Sequence, residues 1–222
     1  MNQYPKIQGL YKRYLEGDKK GKFIIGEYSK PEFELLKDIE WIWTEKIDGT
    51  NIRVCYYTNP LVIPRIEFKG KTNKAEMPKH LTNKLIKLFP LKKIKEVFGE
   101  GEELPDICLY GEGYGYKIQS GGKYTKTGRE VEFILFDIRV GDWWLKREDL
   151  EKIANQLGIG IVPIVGKGTI DEAIKFVKND FESTFGCFIA EGIVITPKIE
   201  LRDRRRQRIV TKIKVKDFLE KK

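Results

Sequence analysis

Thr44-Glu45-Lys46-Ile47-Asp48-Gly49-Thr50-Asn51-Ile52-Arg53 is the stretch on which the fold turns. β-rich residues lead into it from Trp41 to Lys46 and out of it from Asn51 to Tyr57. Asp-Gly is a turn signal, so the segment reads as a strand, a tight turn and a second strand. A lysine at a strand end beside such a turn is a fixed and oriented amine. Lysine is a nucleophile only when deprotonated, a form that neighbouring cations favour. An ordinary hairpin with a solvated lysine accounts for the same ten residues.

Outward from that centre, Arg65 to Lys69 reads as a further strand. Leu81, Leu85 and Leu88 fall at helical spacing within Pro78 to Phe89, and Leu91 to Phe98 also reads as a helix. Ile107 to Tyr110, Val131 to Ile138, Ile161 to Val165, Ile189 to Thr196 and Arg208 to Val215 read as strands. Lys146 to Leu157 and Ile170 to Lys178 read as amphipathic helices. There is no strict βαβ rhythm, so an α+β fold on antiparallel sheets is expected rather than a doubly wound parallel sheet. No repeat or Pro/Ser-rich linker breaks the chain, and a single domain over residues 1–222 is the simplest expectation.

The bulk composition narrows the chemistry. Hydrophobic residues make up 41% of the chain, too many for a disordered polymer. No apolar run has the length of a membrane span and residues 1–14 lack a signal-peptide core, so a cytoplasmic location is expected, or the host cytoplasm for a viral protein. Cys55, Cys108 and Cys187 are odd in number and far apart in sequence, and buried free thiols are expected. The single histidine, His80, argues against His-based hydrolysis and His-rich metal sites. Catalysis must then rest on Lys, Asp, Glu and Arg. A formal charge of +9 with 12% aromatics suits a polyanionic partner, or equally a lysine-rich surface.

Four more segments carry isolated polar groups in apolar surroundings. In Leu109-Tyr110-Gly111-Glu112-Gly113-Tyr114-Gly115 a strand runs into a glycine-rich turn bearing one carboxylate, placed either to accept a ribose hydroxyl or simply to face water. Phe133-Ile134-Leu135-Phe136-Asp137-Ile138 embeds an Asp in an apolar strand, where a carboxylate needs partners. Its Phe136 suits stacking on a base or packing in the core. Glu191 opens the apolar run Gly192 to Ile195, as an oxygen ligand for a hard cation or the partner of a lysine. Alternation along Thr211 to Lys216 places Lys212, Lys214 and Lys216 on one strand face, toward a polyphosphate or toward water.

Taken in order, these segments resemble the covalent nucleotidyltransferases: ATP-dependent DNA and RNA ligases and the mRNA capping guanylyltransferases. Lys46-Ile47-Asp48-Gly49 resembles their Lys-x-Asp-Gly nucleophile motif. The Glu112, Phe136/Asp137, Glu191 and Lys212/Lys214 segments resemble the later motifs, in register over roughly residues 23 to 218. Asn51 in Lys-x-Asp-Gly-x-Asn is similar to the RNA ligase group that includes the phage double-strand-nick-sealing enzyme. DNA ligases and capping enzymes usually carry Arg there. Gly70-Lys71-Thr72 resembles that group's Gly-Arg-Thr element, with Lys71 where Arg is expected and Arg53 the candidate to compensate.

The resemblance implies an antiparallel-sheet, ATP-grasp-like adenylation domain without the OB domain of DNA ligases. It implies ATP and Mg²⁺ (or Mn²⁺) as cofactors, RNA as partner (or DNA, or a mixed nicked duplex), no membrane, and a monomer. Lys46 is then the nucleophile, with Asp48, Lys212 and Lys214 in the catalytic set. Glu45, Asn51, Lys71, Glu112 and Phe136 would contact the nucleotide, with Glu112 on the ribose and Phe136 on adenine. Glu191 would hold the metal, assisted by Asp137, and Lys212 and Lys214 the α-phosphate. Arg53 and the loop residues Arg202, Arg204, Arg205 and Arg206 would hold nucleic-acid phosphates. The readings that remain beside RNA ligation are a DNA ligase core, a guanylyltransferase, an enzyme that stops after end adenylylation, and a nucleic-acid-binding module without catalysis.

Overall fold

Trp41, Trp43 and Glu45 are buried while Ile42 and Thr44 between them are only partly so, the two-residue alternation of a strand with one face on a core. This strand, Trp41–Glu45, lies inside a five-stranded sheet of the computed structural model, which describes residues 3–58, 63–99, 104–179 and 181–218. The chain packs as two compact units. One comprises Lys6–Ile47 and Pro163–Lys222, the other Met1–Pro5 and Asp48–Val162.

In the first unit the strand order is Gln8–Gly9, Thr211–Lys214, Gly192–Pro197, Trp41–Glu45, Ile164–Gly168. All pairings are antiparallel except the short outer one of Gln8–Gly9 with Thr211–Lys214. Trp41, Trp43, Ile193, Ile195 and Ile213 pack with Ile170, Ala173 and Val177 of the helix Ile170–Lys178. Each large apolar side chain so buried contributes roughly 1.5–3 kcal/mol. A capping box starts that helix: the Thr169 hydroxyl accepts from the Glu172 N–H, and the Glu172 carboxylate accepts from the Thr169 N–H at 2.7 Å.

In the second unit the sheet runs Gly160–Ile161, Val131–Val140, Ile107–Gly115, Thr50–Tyr57, Arg65–Lys69, with Trp143–Trp144 paired to Val131–Val140. The helices Lys79–Leu88, Leu91–Phe98 and Arg147–Leu157 supply Leu81, Leu85, Ile94, Leu150 and Leu157 to the core. From the sheet come Ile52, Val54, Leu109, Phe133 and Leu135. The antiparallel α+β architecture is the expected one. Among the described residues no helix is long and apolar enough to cross a membrane.

Four local expectations are corrected. The strands flanking Asp48-Gly49 do not pair as a hairpin but belong to different sheets. A Cβ on Gly49 would lie 2.4 Å from the Gly113 carbonyl oxygen and 2.9 Å from Glu112 Cγ. The glycine therefore serves a close backbone approach, not a two-residue turn. Ile161 to Val165 is likewise two strand ends, not one strand. Gly160–Ile161 pairs with Ile134 and Leu135, Ile164–Gly168 pairs with Trp41–Glu45, and the unit boundary falls between Val162 and Pro163. The glycine-rich stretch after Tyr110 is not a turn, because the strand continues to Gly115. Its glycines make room: a Cβ on Gly111 would sit 2.2 Å from the Phe133 ring, and one on Gly113 2.7 Å from Leu81. Finally, Cys55 and Cys108 are buried and face each other across paired strands, but Cys187 is exposed. It lies in a tight turn closed by the Ser183 N–H donating to the Phe188 carbonyl at 2.8 Å.

Candidate active site

Strand alternation that buries Trp41, Trp43 and Glu45 on the core face leaves Thr44 and Lys46 on the opposite one. The Lys46 N–H donates to the Gly192 carbonyl at 2.9 Å. Gly192 in turn stands opposite Lys214 in the next strand. Lys46, Gly192 and Lys214 therefore form one row across three strands, and Thr44, Val194 and Lys212 form the neighbouring row. Gly192 is required at the centre. Its φ is 148°, and a Cβ there would lie 2.1 Å from the Ile213 carbonyl oxygen.

Glu191, one residue earlier, closes the row with its carboxylate. Lys46 Nζ donates to Glu191 Oε2 at 2.6 Å, and Lys214 Nζ reaches Glu191 Oε1 at 2.5 Å. Lys46 Nζ also lies 3.4 Å from the Ile47 carbonyl oxygen. The Lys46, Glu191 and Lys214 side chains are 21%, 13% and 19% exposed, so the cluster is sheltered yet open to a ligand. Burial works to raise the Glu191 carboxyl, but the Lys46 and Lys214 ammonium groups outweigh it and hold it below its ordinary value. Lys212 and Lys214 share a face, as the alternation required. Lys216 does not, because the strand ends at Lys214 and Lys216 is exposed in the 3₁₀ turn Val215–Asp217.

Glu45 is also placed otherwise than expected. It is 1% exposed, on the tryptophan face, and its carboxylate is spent on protein. It accepts from Ser183 Oγ at 2.5 Å, Thr184 N at 2.9 Å and Thr184 Oγ1 at 2.7 Å. The alternation with Lys46 was the signal that could have told this from the sequence. Ser183 and Thr184, its partners, had no sequence signal.

In the other unit, Asn51 and Glu112 stand opposite each other on paired strands, as do Arg53 and Tyr110. Asp48 and Glu112 are partly buried. The Asn51 Oδ1 is buried with no hydrogen-bond partner, an acceptor turned away from water and left unused by the protein. Arg53, expected at nucleic acid, has no exposed surface. Its Nε donates to the Gly70 carbonyl at 2.9 Å and its Nη2 to Asn73 Oδ1 at 2.9 Å. It thereby pins the loop that carries the exposed Lys71. Sequence reasoning missed Asn73.

Phe136 is the extra residue of a β-bulge, since Asp137 pairs with Tyr110 and Leu135 with Gly111. The bulge places Phe136 in an aromatic group with Tyr4, Tyr110 and Trp144, on the sheet face away from the helices. Its ring meets Tyr4 edge-on, with centroids 5.0 Å apart. Asp137 is 5% exposed and accepts from the Tyr4 hydroxyl at 2.9 Å. Tyr4 had no signal in the sequence. Among the described residues no group of three or more His, Cys, Asp and Glu gathers into a ready-made metal cage.

The arginine loop is ordered by a residue that the sequence reading passed over. Asp203 Oδ1 accepts from the N–H groups of Arg205 and Gln207, each at 2.9 Å, and Oδ2 meets Lys30 Nζ at 3.4 Å. Arg202 pairs with Glu200, and Arg204, Arg205 and Arg206 are exposed on the turn.

With this geometry in hand, comparison with known proteins gives a consistent answer. Naegleria gruberi RNA ligase solved with PPi superposes with a TM-score of 0.60 at 18% identity, over 95% of this chain and 61% of that one. A substituted form of the same enzyme, with ATP and Mn, superposes with a TM-score of 0.62 at 18% identity, over 83% and 52%. The present chain thus spans between half and two thirds of the length of these relatives. At such identity the likeness establishes a shared fold. No curated protein sequence matches significantly. The family model for RNA ligase matches residues 39–216, most of the chain, and the chain belongs to the RNA ligase family.

Proposed function

We propose that the chain is an ATP-dependent RNA ligase that joins 5′-phosphate and 3′-hydroxyl ends through a lysyl-AMP on Lys46. The observation that carries this reading is the row Lys46–Gly192–Lys214 closed by Glu191. It offers one oriented amine, a second cation beside it and a hard oxygen donor. Phosphoryl-type transfer asks for that combination, since its barrier falls mainly through positioning and charge neutralisation. The Naegleria enzyme was solved with ATP and Mn and with PPi, which supports ATP and a divalent cation here.

In the first step the Lys46 ammonium gives up a proton to solvent, and the resulting amine forms an N–P bond to the α-phosphorus of ATP. The P–O bond to pyrophosphate breaks, and the nitrogen loses a second proton. In the second, a 5′-phosphate oxygen of RNA attacks the same phosphorus, the N–P bond breaks, and Lys46 regains a proton. In the third, a 3′-hydroxyl attacks the activated 5′-phosphorus, and AMP leaves with the bonding electrons. Lys212 and Lys214 would neutralise the α-phosphate, and Glu112 and Asn51 would hold the sugar and phosphate. Phe136 would stack on adenine. Lys71 and the turn Arg204–Arg206 would meet phosphates.

Glu191 would hold Mg²⁺ or Mn²⁺, with Asp137 a further candidate. Glu191 fits, being ionised and sheltered, and one or two protein carboxylates suffice where phosphates and water complete the shell. The cation would supply charge neutralisation on the phosphates.

The test is a denaturing gel after mixing the protein with α-labelled ATP and Mg²⁺, beside Lys46→Ala. Label on the parent alone supports the reading, and label retained by Lys46→Ala sinks it. Label from GTP but not ATP would turn it toward capping chemistry. Sealing of a nicked DNA duplex in preference to RNA would turn it toward a DNA ligase.

A further inference from the structure

The segment from Tyr116 to Glu130 leaves the Glu112 strand and is absorbed by none of the roles above. It is a built loop. The Tyr116 N–H donates to the Glu130 carbonyl at 2.8 Å and the Gly121 N–H to that of Ile118 at 2.8 Å. Ile118 and Tyr124 are buried beneath it, and the Tyr124 ring meets Tyr114 edge-on, centroids 6.1 Å apart. The loop also packs on the nucleophile motif. A Cβ on Gly121 would lie 2.6 Å from Gly115 N and 3.2 Å from the Asp48 carbonyl oxygen.

Its outer surface is cationic and aromatic. Lys117, Lys123, Lys126 and Arg129 are exposed, against one carboxylate, Glu130, which accepts from the Thr127 N–H at 3.2 Å. The Tyr116 ring is 43% exposed, with Lys117 Nζ 5.1 Å from its centroid. The Tyr116 backbone is tied down, its carbonyl 3.0 Å from His80 Nε2. Lys117 and Gln119 hold positive φ angles of 58° and 46°. Holding non-glycine residues in the left-handed region is costly, and the packing of the loop must offset that cost.

We infer that this loop docks the RNA strand next to the end being joined, with a base on the Tyr116 ring and phosphates on Lys117, Lys123, Lys126 and Arg129. The inference rests on the ligase reading above and names a surface that the motifs do not contain. A single strand fits because its unstacked bases offer π-faces between phosphates, matching a ring set among cations. An acidic peptide would use the cations and leave the exposed ring in contact with Lys117 alone. Packing against the Asp48 backbone holds the loop on the Asp48–Asn51 end of the motif, within the same unit.

Binding of a 5′-phosphorylated single-stranded RNA to the full chain, followed by fluorescence anisotropy over a range of salt, tests this. The variants are Lys126→Glu/Arg129→Glu and Tyr116→Ala, with Lys19→Glu/Lys20→Glu as a control of equal charge change. Adduct formation with α-labelled ATP is measured in parallel. The loop variants are expected to weaken RNA binding roughly tenfold or more while labelling like the parent. The charge-reversed pair should also flatten the salt dependence by about 0.7 in slope for each phosphate that is no longer neutralised. The control should bind as the parent does. Equal loss in loop variants and control would overturn the inference, because net charge alone would explain it. Unchanged RNA affinity with a raised ATP requirement would overturn it too, assigning the loop to the nucleotide. Loop variants that lose RNA in a parent that forms no adduct would leave the docking surface standing and remove the ligase reading. A parent that labels normally, with loop variants that bind RNA like it, would do the reverse.

Discussion

The Glu191 carboxylate holds the Lys46 ammonium at 2.6 Å, across 145 residues of sequence. Lys214 occupies the other oxygen, so two cations share one anion. Replacement by Gln removes the charge that reconciles them and keeps the volume. Glu191→Gln is therefore expected to cost about 1–2 kcal/mol, more than a solvated pair and less than a fully buried one. At this chain length that is a fall of roughly 2–4 °C in Tm per kcal/mol. Adduct formation should fall much further, by orders of magnitude, if the carboxylate also holds the metal. Calorimetry and AMP labelling on one preparation check both. A large loss of stability with normal labelling would leave Glu191 a structural counter-ion.

A Cβ on Gly49 would lie 2.4 Å from the Gly113 carbonyl oxygen, so a side chain at Gly49 has no room. Gly49→Ala should therefore destabilise the unit containing Asp48 to Val162 by about 1–3 kcal/mol, as overpacking does elsewhere. Gly17 has a positive φ and nothing near its Cβ direction, so Gly17→Ala carries backbone strain alone. Urea unfolding of the two proteins measures the difference. Gly49 has no positive φ, so equal effects would mean that the crowding against Gly113 relaxes and costs no more than the backbone strain at Gly17.

These two residues mark how far the sequence could be read. Strand and helix positions follow from period and composition, which is why the helices Leu91–Phe98 and Ile170–Lys178 coincide with expectation. Pairing does not follow, because it depends on residues far apart in sequence. Asp-Gly between two β-rich runs is the local signature of a hairpin, yet the chain passes from one sheet to another there. Alternation is enough to put Lys212 and Lys214 on one face and to turn Glu45 away from Lys46. It is not enough to bring Lys46 to Lys214. That requires knowing that Gly192–Pro197 runs between their strands, and that its first residue lacks a side chain. Asp203, Asn73 and Tyr4 were invisible for the same reason, since each acts on a partner chosen by the fold.

Arg53 shows the consequence for stability. A fully buried guanidinium that donates to Gly70 and Asn73 holds a loop, and a surface arginine would not. Arg53→Ala leaves the Gly70 carbonyl and the Asn73 amide short of a donor as well as opening a cavity. A cost of about 2–4 kcal/mol is expected from the cavity and the unmet Gly70 carbonyl, offset in part because Arg53 Nη1 is itself buried without a partner, with proteolysis of the loop around Lys71 accelerated. Arg53→Lys should recover only part, because an ammonium cannot span both acceptors with a planar fork. Chemical denaturation measures the cost. Unchanged stability with weaker RNA binding would instead restore Arg53 to the nucleic-acid surface.

The arginine turn provides a prediction in pH. Burial works to raise the Asp203 carboxyl, but the N–H groups of Gln207 and Arg205 and the Lys30 ammonium outweigh it, so its folded value lies below the ordinary one. A depressed carboxyl stabilises the folded turn above the unfolded pKa and loses that contribution as pH falls through the folded value. The turn should thus be fully ordered at neutral pH and loosen only below the usual carboxylate range near 4. Hydrogen exchange at the Arg205 and Gln207 amides reads this directly, with protection falling in that acid window while the core strands keep theirs. Asp203→Asn should show the low-pH behaviour at neutral pH, and Asp203→Ala more strongly. If the arginines act as a preformed phosphate grip, both variants should also weaken RNA binding without removing a single positive charge. Unaltered RNA affinity in Asp203→Ala would mean that the arginines work by charge alone and that the order of the turn is incidental.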